Sequence, residues 1–171
     1  MECFTYAVEA GNTSMTIPII KLSDIVDAMQ IQSETMTHYL NKKTGKIVLI
    51  SQEDADAAEN DEIMEEFPEW QQEDIKLARE VWGSNHYILL PTKFDIHEYD
   101  LIVNFCLSIR NKKVSRSLYD LTRGRGAFKR FYDGICHYNV EEDWYEYKNA
   151  AYREIAKRWC SENKIEFKEG D

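Results

Sequence analysis

The residues of this chain best suited to chemistry stand together at Arg123-Gly124-Arg125-Gly126-Ala127-Phe128-Lys129-Arg130-Phe131. Four positive charges and two glycines fall at the expected start of a helix, in a chain of net charge −10. A glycine-loosened entry into a helix exposes backbone N–H groups, and the helix dipole there favours an anion. Arginines beside it add planar, two-pronged donors for phosphate or carboxylate. Arg123, Gly124, Arg125, Gly126, Lys129 and Arg130 are therefore the expected anion-binding residues. The competing reading is structural. The glycines permit a tight interhelical turn, and the arginines pair with the chain's own acids.

A second polar group is Asp95-Ile96-His97-Glu98, followed by Asp100 and Asn104. Asp95, His97, Glu98 and Asp100 have the types needed for hydrolase or nuclease acid–base work. Yet Asp95 fits a helix N-cap with Glu98 as its reciprocal partner, and Phe94 and Tyr99 fit a hydrophobic staple. His97, Asp100 and Asn104 fall on one polar side of that helix. No catalytic residue is assigned.

Other signatures are missing. There is no Gly-x4-Gly-Lys-Ser/Thr loop and no Gly-x-Gly-x-x-Gly. The four histidines are scattered, and no Cys/His spacing fits a zinc module. No Gly-x-Ser-x-Gly elbow occurs. No metal or cofactor is expected.

A third feature is acidic. Residues 53–74 hold eleven Asp and Glu and no Lys or Arg. Such a run reads first as a solvated helix and loop. Its sharper reading is an inhibitory surface that occupies a basic protein partner.

The elements that must position these groups follow from local patterning. Residues 1–15 read as a variable extension, and residues 16–171 as one α+β domain. Thr16–Ile20 reads as an edge strand because of Pro18. Ser23 would cap a helix carrying Leu22, Ile25, Val26 and Met29. A hairpin over residues 36–50, with Gly45 in its turn, and a strand at 86–90 make a small antiparallel sheet. About five or six helices pack with it, and the C-terminal half is mostly helical. Trp70, Tyr99, Leu107, Phe128 and Cys136 read as core-facing by helical spacing. In the last helix Trp144, Lys148, Ala151, Ile155 and Trp159 share one side, with Tyr145, Tyr152 and Ala156 on the next. Ile165–Phe167 would add a final strand.

The totals narrow the function. A surplus of ten negative charges opposes general docking on nucleic acid, but permits a local basic patch. No apolar run is long enough to span a membrane, so no membrane partner is expected. Four cysteines without a Cys-x-x-Cys pair, and no apparent export signal, suggest reduced thiols in a cytoplasm. Cys106, Cys136 and Cys160 read as small buried hydrophobes.

Several segments in order carry a resemblance: Lys21-Leu22-Ser23-Asp24-Ile25-Val26-Asp27-Ala28, Tyr39-Leu40-Asn41-Lys42-Lys43-Thr44-Gly45, Pro68-Glu69-Trp70-Gln71, Phe94-Asp95-Ile96-His97-Glu98-Tyr99, Gly124-Arg125-Gly126-Ala127-Phe128-Lys129-Arg130-Phe131 and Asp143-Trp144-Tyr145. Together they resemble a family of small bacterial proteins catalogued as an uncharacterised protein family, over roughly residues 19–168. The resemblance implies a bacterial or phage cytoplasmic domain. It brings no activity, cofactor or site. The functional expectation is a non-enzymatic binding or regulatory module that holds a phosphate-bearing ligand or nucleic-acid end.

Overall fold

The computed structural model describes residues 18–169. The extension at 1–15, Cys3 and the first two residues of the strand expected at 16–20 lie outside the described residues. The N-terminal half runs β1 (Ile20–Lys21), α1 (Leu22–Gln30), β2 (Met36–Asn41), β3 (Ile47–Ser51), α2 (Gln52–Glu59), a 3-10 turn at Met64–Glu66, α3 (Glu69–Gly83) and β4 (Tyr87–Leu89). The C-terminal half runs α4 (Lys93–Ile96), α5 (Glu98–Ser108), α6 (Lys112–Leu121), α7 (Ala127–His137), α8 (Glu141–Glu162) and β5 (Phe167–Lys168). The fold is α+β, with the helices dominating the second half.

The hairpin forms because its turn is locally encoded. The Asn41 side-chain oxygen accepts from Lys43 N at 2.9 Å and Thr44 N at 3.2 Å. Gly45 supplies the left-handed backbone at φ 71°. β4 then pairs antiparallel with β2, giving the order β3-β2-β4. Separately, β1 pairs in parallel with β5, which joins the two ends of the described chain.

Three apolar clusters hold these elements. One joins α1, β2 and α8 through Leu22, Ile25, Leu40, Tyr152 and Ala156. A second centres on Trp144, whose ring lies 5.2 Å from Phe105 and 5.0 Å from Phe131. A third packs Ile50 of β3 against Ala78 and Val81 of α3. Each large buried side chain contributes on the order of 1.5–3 kcal/mol relative to exposure.

Several expectations are corrected. α1 begins at Leu22, one residue before Ser23, and its N-cap Lys21 makes no side-chain cap. The buried stripe of α8 is Trp144, Tyr152, Ala156 and Cys160, with Tyr145 exposed. That stripe follows four-residue steps, and α8 packs against both α1 and α5. Trp70, Tyr99, Leu107 and Phe128 are exposed. Cys136 is exposed too, and its Sγ donates to Glu141 Oε2 at 3.4 Å.

Among the described residues, no helix is long and apolar enough to cross a membrane.

Candidate functional site

α6 begins where the Asn111 side chain accepts from Lys113 N at 3.1 Å and Val114 N at 3.4 Å. Ser115 and Leu118 turn inward. Lys112, Arg116, Tyr119 and Arg123 then recur at intervals that share the outward side. Thr122, buried, closes α6 by donating Oγ1–H to Tyr119 O at 2.7 Å.

The chain next reverses. Gly124 and Gly126 sit at φ 76° and 78°, a region L side chains rarely adopt. α7 starts directly after Gly126, and its first internal bond is Arg130 N to Gly126 O at 3.2 Å. The amides of Ala127, Phe128 and Lys129 are therefore the unsatisfied donors of a helix start. Gly134 lets α7 lie against α6, since a Cβ there would meet Leu121 Cδ1 at 2.7 Å.

The four basic side chains of this segment do different things. Arg130 turns back on the chain. Its Nε donates to Leu121 O at 3.3 Å, its Nη1 to Arg125 O and its Nη2 to Arg123 O. One planar guanidinium thus ties the end of α6 to the whole turn. Arg123 stacks its guanidinium 4.9 Å over the Tyr119 ring. The adjacent Tyr119 side chain also holds the Arg123 pKa above its ordinary value. Arg125 and Lys129 are exposed. Among the described residues none of the four forms an ion pair with an acid.

The second polar group is divided by the fold. α4 starts three residues earlier than expected, after Thr92. Thr92 is the cap and Asp95 its reciprocal partner, accepting from Thr92 N and Thr92 Oγ1, each at 2.8 Å. Those two bonds hold the Asp95 carboxyl below its usual range. Glu98 faces away from that box. It accepts from Lys148 Nζ at 2.9 Å and from the Tyr132 hydroxyl at 3.3 Å. His97, at φ 49°, forms the junction between α4 and α5. His97 and Asp100 border a hollow of about 490 Å³ with Phe94, Tyr99 and Phe128. Asn104 is exposed and is not among its lining residues. Among the described residues no group of three or more His, Cys, Asp or Glu is arranged to hold a metal.

The pattern of the Uncharacterised protein family (UPF0158) matches residues 15–170. The chain belongs to that family. It is 28% identical over 153 residues to the UPF0158 protein PA5073 of Pseudomonas aeruginosa, covering 89% of this chain and 86% of that protein. No solved structure matches the chain.

Within this UPF0158 chain the basic segment is longer than its glycine turn. Residues 110–130 carry eight Lys and Arg and one acid, Asp120. Arg110, Lys112, Lys113 and Arg116 are the additional four, all exposed. A running count of charge along the chain marks them, whereas a search for glycines and helix starts passes over them. The acidic run has the opposite character. Asp54 is buried and accepts from Ser51 and Gln71, while the other ten acids of residues 53–74 are exposed.

Proposed function

We propose that this protein is a binding module that docks an anionic partner on the outer side of α6 and the turn into α7. One observation carries the reading. Eight cations within residues 110–130 stand without an ion pair among the described residues, in a chain with ten surplus negative charges. Elsewhere five of the other thirteen Lys and Arg are paired, at Lys76, Arg79, Lys93, Lys148 and Lys157. A cluster of like charges raises its own energy through mutual repulsion, and an anionic partner relieves it. The acid–base residues nearby support binding over catalysis, because Asp95 and Glu98 already serve the chain's own groups. Arg130 positions the turn, and Arg123, Arg125 and Lys129 meet the ligand.

The test is charge reversal. Inorganic polyphosphate should bind the protein at low salt and weaken steeply as salt rises. The triple variant Arg123→Glu, Arg125→Glu, Lys129→Glu should lose that binding with its melting point in buffer unchanged. Equal affinity in the reversed variant would exclude this surface.

A second reading rests on the ten exposed acids of residues 53–74, which favour a basic protein partner on α2 and the start of α3. Glu65→Lys with Glu66→Lys and Glu69→Lys should then abolish capture of a basic protein such as a histone, and the triple reversal above should leave it intact.

A further inference from the structure

We infer that the ligand of this surface is single-stranded nucleic acid, with bases stacked on Phe94, Tyr99 and Phe128 and phosphates held by Arg123, Arg125 and Lys129. The inference rests on the anion-docking reading and gives it a substrate class. It starts from three exposed aromatic rings, two of which, Tyr99 and Phe128, helical spacing assigns to the core. Phe94 is 75% exposed, Phe128 45% and Tyr99 44%. They border one hollow of about 490 Å³. Rings left in water beside unpaired cations are what a strand of unstacked bases needs, since every base has a flat apolar face.

The geometry joins the two halves of the surface. The Tyr99 hydroxyl donates to Thr122 O at 3.1 Å, which fixes the aromatic hollow against the turn next to Arg123. The Tyr99 and Phe128 ring centres are 6.5 Å apart and tilted by 53°. Phe128 and Lys129 are consecutive in the first turn of α7, and both are exposed. At the far rim, Lys93 Nζ stands 5.5 Å from the Phe94 ring centre, but it is already paired with Glu34 Oε1 at 2.7 Å.

Two alternatives fit less well. A duplex buries its base faces and offers nothing to the rings. An anionic lipid surface offers only phosphate to Glu98 and Asp100, carboxylates that line the hollow and oppose a strand's phosphates there equally; of the two, Asp100 is exposed. That carboxylate repels phosphate but can accept from the exocyclic amino group of a base such as cytosine.

The experiment measures fluorescence anisotropy of the full chain with a labelled oligodeoxycytidine of about twelve nucleotides. Parallel arms use the matching duplex, inorganic polyphosphate and phosphatidylserine vesicles. Phe94→Ala with Phe128→Ala should weaken oligonucleotide binding by about tenfold or more and leave polyphosphate binding unchanged. Arg125→Glu should weaken both. Circular dichroism checks that each variant is folded. If polyphosphate binding falls with Arg125→Glu while the aromatic variant holds the oligonucleotide as well as wild type, the anion reading stands and this inference fails. Duplex bound as tightly as single strand, or vesicles bound through the rings in place of the oligonucleotide, overturns it as well. Binding of neither polyanion sinks both proposals.

Discussion

Gly134 of α7 passes so close to Leu121 of α6 that a single added methyl would stand 2.7 Å from Leu121 Cδ1 and 2.8 Å from Leu118 Cδ2. Both leucines lie in or against the cluster around Trp144, so neither can swing into solvent without opening that core. Gly134→Ala is expected to destabilise the protein by about 1–3 kcal/mol through overpacking, despite the better helix propensity of alanine. Urea denaturation checks it. An unchanged midpoint would mean that α6 and α7 are not held at this separation.

Arg130 predicts a different kind of loss. Its guanidinium serves three carbonyls at once, and a lysine ammonium cannot reproduce that planar fork. Arg130→Lys should therefore keep the charge and still release the turn. The expected cost is about 1–2 kcal/mol, with faster hydrogen exchange at the amides of α7's first turn. Full protection in the lysine variant would show that charge alone holds the segment.

How far these features could be read from sequence depends on how local their causes are. The hairpin was legible because Asn41 and Gly45 encode its turn within five residues. The α+β class was legible for the same reason. The exposure of Tyr99 and Phe128 was not. Helical spacing says which side chains share a face, and only the tertiary arrangement says whether another element covers that face. The same limit applies to Cys136 and to the buried stripe of α8. For the candidate site, the cations and glycines were visible, but the inward turn of Arg130 depends on carbonyls seven and nine residues earlier. Lack of ion pairing is likewise a property of the folded surface.

Asp95 gives a test that separates a cap from a catalytic acid. Its carboxylate accepts two bonds from Thr92, and both hold its pKa below the ordinary value of 3.8. A depressed pKa contributes stability above the unfolded value and loses it as pH falls through the folded one. Asp95→Ala should cost about 0.5–2 kcal/mol near neutral pH and much less in strong acid. Thr92→Ala should reproduce part of that loss. Two denaturation series across acid pH decide it. A loss independent of pH would remove the ionised cap from the account.

The alkaline limit is set by Tyr132 and Tyr152. Burial first, and then the charge of Glu98, pushes each from 10.0 up to about 12. Lys148 Nζ lies 2.9 Å from that Glu98 carboxylate. In the unfolded chain these tyrosines ionise near pH 10, whereas in the native state they stay protonated to about 12. The unfolded state therefore releases protons first, and stability present below pH 10 is lost as pH climbs toward 12. Cys106 and Cys160, pushed by burial from 9.0 up to about 11, act with the same sign from a lower pH. Chemical denaturation at a series of alkaline pH values should show this decline. The double variant Tyr132→Phe, Tyr152→Phe should flatten its upper part and leave the thiol part in place. A wild-type profile level from neutral pH through the tyrosine range would contradict the buried, protonated state of both phenols.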